Sequence, residues 1–156
     1  MTSEPHPTPA LEVAARRRRE LREALVAFEG ALASPMRDRV TWHAEAKDAL
    51  ESLGHAFEDH VAATEAGGGL YDEMREKSPH LRTKANRLRE EHPAITAALI
   101  DATTRLAAPP ADEADAEGIR DELQRLMGRI VKHRQHGADL VWDAYAIDIG
   151  DLGDAG

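Results

Sequence analysis

The chain has 156 residues, 42% of them hydrophobic and 31% charged, with a formal charge of -9, eight histidines and no cysteine. This is apolar material for a single core, so one domain is expected. Disulfides, thiolate nucleophiles, iron–sulfur clusters and Cys-ligated zinc are excluded, and twenty Lys plus Arg against twenty-nine Asp plus Glu disfavour a nucleic-acid surface.

Ala and Leu dominate the apolar residues, with only two Trp, two Tyr and two Phe, which favours helix over sheet. No stretch approaches eighteen apolar residues, and the N-terminus lacks the basic-then-apolar order of a signal peptide. A soluble, cytoplasmic protein without membrane contact is the expectation.

Residues 1–9 hold three prolines within five positions and are expected to form a flexible arm. Leu11, Ala14, Arg18, Leu21, Leu25, Phe28 and Leu32 then recur at spacings of three and four, which predicts a first helix ended by Ser34-Pro35. A second helix is predicted from about Met36 to Ala66, with Trp42, Ala46, Ala49, Leu53, Phe57, His60 and Val61 on its stripe. Gly67-Gly68-Gly69 breaks it. Leu70, Tyr71 and Met74 predict a further turn or two of helix, and Ser78-Pro79 is a candidate start for the third long helix.

That helix is predicted from Pro79 to about Ala107, continuing in phase through Pro93, with His92, Ile95 and Leu99 on its stripe. Pro109-Pro110 and the acidic run Asp112 to Glu117 precede a fourth, carrying Ile119, Leu123, Leu126, Ile130, His133, Gly137 and Leu140. From Ile147 the chain turns Gly and Asp rich and is expected to leave the bundle. The predicted fold is all-α, an antiparallel up-down-up-down four-helix bundle over residues 10–150, with residues 151–156 as a tail.

His60, His92 and His133 fall on the buried stripes of three different helices. Alone, such a histidine is ordinarily a hydrogen-bonded core residue. Together they matter if they converge, which a rise of about 1.5 Å per residue allows for His92 and His133 and makes conditional for His60 on helix at Leu70 to Glu76. Glu65 lies five residues beyond His60, about 140° around the helix from it. Such imidazoles and carboxylates suit iron, manganese or zinc, mononuclear or dinuclear. Neither Glu-x-x-His nor His-Glu-x-x-His occurs.

Other polar residues leave alternatives open. Arg18 on the first stripe either snorkels or pairs with a carboxylate from another helix, or it has an anion-binding or charge-compensating role within an interior cavity. Glu91 reads as a surface residue. His136 and Asp139 share a face and are either solvated or support His133. Gly137 either permits close packing or leaves space for a small ligand beside His133.

From Leu11 to Gly150 the chain resembles the hemerythrin-like, or HHE cation-binding, family of four-helix bundles, especially its short actinobacterial-type members. The resemblance rests on His60 with Glu65 before Gly69-Leu70-Tyr71, on Glu91-His92 following Pro79, and most specifically on the run from His133 through His136-Gly137-Ala138-Asp139-Leu140-Val141 to Tyr145 and Gly150. It implies an iron site, complete members holding two irons through histidines of all four helices and bridging carboxylates. It further implies oxygen binding, oxygen or iron sensing, or reaction with peroxide or nitric oxide.

Carried onto this chain, the resemblance implies His60, His92 and His133 as metal ligands, with Glu65 as the nearest carboxylate. The chain departs from the pattern in its first helix, which has Arg18 and no histidine. It departs again at Thr64, where a carboxylate is expected, and at Gly137 and Ala138 beyond His133. The expectation is therefore a reduced site holding one metal ion, an incomplete di-iron centre, or a small diatomic ligand. The competing expectation is a bundle without metal, in which the histidines bond one another and the surface serves a protein partner.

Overall fold

A computed structural model describes residues 6–153. Residues 1–5 of the expected arm and 154–156 of the expected tail lie outside the described residues. The helices are α1 (Pro9–Ala33), α2 (Arg39–Glu65), α3 (Leu70–Lys77), α4 (Arg82–Arg105) and α5 (Glu113–Tyr145), with 3-10 turns at Pro79–Leu81 and Ile149–Gly153. No strand occurs among the described residues. None of the helices is long and apolar enough to cross a membrane.

Each long helix starts where a short polar side chain satisfies a free backbone N–H. Thr8 Oγ1 accepts from the Leu11 amide at 3.2 Å, with Pro9 opening α1. Asp38 accepts from Val40 at 3.0 Å, and Asp112 from Asp115 at 2.8 Å. Helix α4 is the exception. Ser78 makes no side-chain cap; its own amide donates to the Met74 carbonyl at 2.9 Å and closes α3, so a 3-10 turn intervenes before Arg82. Helix α4 then continues through the exposed Pro93.

The four long helices pack together: α1 lies on α2 and α4 on α5, and the pairs meet through α2 with α4 and α1 with α5. The core has two parts. One gathers Phe28, Trp42, Leu53, Phe57, Ile119 and Ile130; the other gathers Leu11, Leu70, Tyr71, Met74, Leu88 and Tyr145. The candidate histidines lie where these meet, against Phe57 of the first and Tyr71 of the second.

The segment after α5 does not leave the bundle. Ala146 adopts the left-handed conformation (φ 52°), and the following 3-10 turn packs on α1 with Ile149 only 5% exposed. Ile147, Ile149 and Leu152 anchor it to the second part of the core, an apolar content that the neighbouring Gly and Asp residues mask in composition.

The turn between α2 and α3 sets the height of Tyr71. Gly68 has φ +76°, and a Cβ on Gly69 would stand 2.8 Å from the Ala66 carbonyl oxygen and 2.9 Å from that of Ala63. Backbone oxygens cannot rotate aside, so Gly69→Ala is expected to destabilise the fold by about 1–3 kcal/mol. Gly67→Ala, whose Cβ meets nothing within 4 Å, is the control. Urea unfolding measures both, and equal stabilities would show that the turn tolerates a side chain.

Candidate metal centre

His60 of α2, His92 of α4 and His133 of α5 converge. The Nε2 of His133 lies 3.2 Å from His60 Nε2 and 3.1 Å from His92 Nε2. Each residue places a ring nitrogen within 4.8 Å of the others. Two nitrogens bound at about 2.1 Å and about 97° apart around one ion stand about 3.1 Å from each other, so the spacing fits a shared cation. Phe57 packs against all three rings, with centroid distances of 5.8, 5.7 and 6.1 Å to His60, His92 and His133.

The outer faces of two rings are held by carboxylates. His92 Nδ1 lies 3.1 Å from Glu65 Oε2, and Glu65 is itself paired through Oε1 with Arg89 Nε at 2.9 Å. His133 Nδ1 lies 3.2 Å from Glu91 Oε2, whose Oε1 is 3.3 Å from His136 Nδ1. A carboxylate only accepts, so both Nδ1 atoms are assigned as N–H donors and, in neutral rings, both Nε2 atoms carry lone pairs. Those lone pairs face each other at 3.1 Å. Without a cation or a shared proton between them, the contact is repulsive.

Protonation is disfavoured there. Burial holds His92 and His133 below the ordinary histidine value, with His92 adding repulsion at His133 and with Glu65 and Glu91 only partly opposing the shifts. Burial depresses His60 well below 6.5, helped by the other two rings and by Arg134 and Arg18. Burial pushes Glu91 up, but the hydrogen bonds from His133 and His136 outweigh it and leave the carboxyl below its usual range. Arg134, half-buried and near Arg18 and Arg22, is lowered to about 10.

Glu65 stands behind His92 rather than among the Nε2 atoms, because its angular offset from His60 on α2 points it towards α4. Glu91 is no idle surface residue: it bridges His133 and the half-exposed His136. Asp139 accepts from Gln135 instead of joining this network. Thr64 is buried and donates to the His60 carbonyl at 2.9 Å. His43, also buried, bonds the Leu106 carbonyl at 2.7 Å and so closes the end of α4.

Tyr71 is the site residue that the stripe pattern hid. Its hydroxyl lies 3.2 Å from His92 Nε2 and its ring stacks on the imidazole. Burial raises its pKa, so the phenol is a proton donor to His92 and its oxygen is a fourth polar atom beside the three nitrogens. The available signal was its phenol: a buried tyrosine needs a partner for its hydroxyl, as leucine does not. No family model, curated protein or solved structure matches the chain.

In the unfolded chain each histidine protonates near 6.5, whereas the folded rings resist protonation until lower pH. Between those values the unfolded state binds more protons, so stability falls as pH falls. The metal-free chain is expected to lose stability from pH about 6.5 downward, by up to about 1.4 kcal/mol per pH unit for each ring kept neutral. Urea unfolding at successive pH values measures the slope. A profile that stays flat there would contradict neutral buried rings.

Proposed function

We propose that this chain is a hemerythrin-like, up-down-up-down bundle whose interior site binds a single transition-metal ion through His60, His92 and His133, with Tyr71 as a neighbouring oxygen donor. The observation that carries this reading is the pair of Nε2 lone pairs of His92 and His133 aimed at each other at 3.1 Å while Glu65 and Glu91 hold their Nδ1–H groups. Carboxylate-backed histidines of this kind orient metal ligands and raise their basicity.

Iron is the proposed ion, on the family resemblance; manganese and zinc suit the same donors. The metal would supply Lewis-acid or redox chemistry and an open position for a small ligand such as oxygen, peroxide or nitric oxide. The chain's own contributions are separable from that chemistry. Phe57 closes one side of the histidine cluster against water, Arg89 pins Glu65, and Gly137 leaves space beside His133. Glu65 and Glu91 are positioning residues that act through His92 and His133.

The test is elemental analysis of protein purified without an affinity tag after growth with iron and manganese. About one ion per chain is expected, lost in His92→Ala, with Glu65→Gln and Glu91→Gln weakening metal affinity by about 10- to 100-fold while the helical content persists. A wild-type content below about 0.1 ion per chain would overturn the proposal, leaving a hydrogen-bonded histidine core and a protein acting through its surface.

A further inference from the structure

Among the described residues five buried side-chain nitrogens have no hydrogen-bond partner, and three of them, Nε of Arg18, Nε of Arg134 and Nδ1 of His60, belong to residues around one space. Arg18, His60 and Arg134, from α1, α2 and α5, line one small cavity with Thr64, Tyr71 and Gly137. Buried donors are nearly always satisfied, and three orphans around one space call for an acceptor within it. The His60 nitrogen belongs to this set when its Nε2 lone pair is given to the shared cation beside His133, which leaves Nδ1 to carry the proton.

The charge of the cavity is also one-sided. Among the described residues neither Arg18 nor Arg134 forms an ion pair, and the cavity lining contains no carboxylate. Asp148 is the acid whose field reaches Arg18, and its Oδ1 accepts from the Gly150 amide. Glu65 and Glu91 are engaged on the far sides of His92 and His133. Arg18, Arg134 and His60 thus line a space of about 30 Å³, room for two or three water-sized atoms.

We propose that this cavity is a binding site for a small monoanion of two or three heavy atoms, held by Arg18, Arg134 and His60 Nδ1 beside the histidine cluster. The ligand class is that of azide, nitrite or hydroperoxide. Phosphate and sulfate exceed the space, and a neutral diatomic would leave both guanidiniums uncompensated. This deepens the metal-site reading and rests on it for what faces the anion, whereas the pocket belongs to the chain itself.

Azide is the probe, titrated calorimetrically at constant ionic strength into the chelator-treated, metal-free chain and into the iron-loaded chain. Saturable one-to-one binding to the metal-free chain is expected, weakened about tenfold or more in Arg18→Gln and in Arg134→Gln, and largely retained in Arg18→Lys. Excess phosphate should not displace azide, whereas nitrite should.

Absence of saturable azide binding to the metal-free wild type overturns the proposal, whatever the variants do. So does undiminished binding in both glutamine variants with helical circular dichroism intact. Azide binding in a chain that takes up no metal leaves the anion site standing and removes the metal reading. Azide binding only to the loaded chain, with equal affinity in wild type and variants, removes the anion site and leaves the metal reading.

Discussion

The interior of this protein is organised by a contact that two neutral rings would not choose: His92 and His133 set Nε2 to Nε2 at 3.1 Å. A histidine pair relaxes such a contact by flipping one tautomer, so that an N–H donates to the facing nitrogen. Glu65 and Glu91 remove that freedom by occupying both Nδ1 positions with acceptors. Burial opposes the other escape, protonation of a ring, so a cation, or a neighbouring donor such as His60 Nε2–H at 3.2 Å from His133 Nε2, would balance the arrangement. Tyr71 can donate to one lone pair, which leaves the remaining nitrogens still converging.

Much of the fold serves to hold that contact. Phe57 makes edge or tilted contacts with all three rings and ties them to the larger part of the core. Consecutive residues on α4 divide the work: His92 turns inward, and Glu91, about 100° around the helix, reaches His133 on α5. Gly69 lets the chain reverse tightly enough for α3 to bring Tyr71 over His92. Displacing any one of these would open the Nε2 cluster, because the His92 and His133 rings are each held at both nitrogens.

The stripes of α1, α2, α4 and α5 were legible because burial repeats every three to four residues, and that repeat carried His60, His92 and His133 with it. Helical structure from Leu70 onward met the condition on which the height of His60 depended. What periodicity could not reveal is where a long side chain reaches. Glu91 is off-stripe by rotation, yet its length carries it to a neighbouring helix. Tyr71 reads as one more apolar residue in a short segment, its hydroxyl being silent in any pattern of hydrophobicity. Ile149 was hidden for the opposite reason, its Gly and Asp neighbours outweighing one apolar anchor. The acidic run from Asp112 was better signalled, since a cap is a local interaction between residues two or three apart.

On the proposed metal reading, Arg18 would limit how many cations the interior accommodates. It lines the cavity beside His60 and His133 together with Arg134, and no carboxylate lines that space. A second divalent ion there would meet two guanidiniums at short range in a partly buried medium, where like charges interact far more strongly than in water. It would also lack bridging oxygens, since Glu65 and Glu91 are both committed behind their histidines. The same guanidinium on α1 that argues against a dinuclear centre makes the cavity hospitable to negative charge. A single cation among the Nε2 atoms and an anion between the arginines would then complement each other, each offsetting the charge that the other leaves unbalanced.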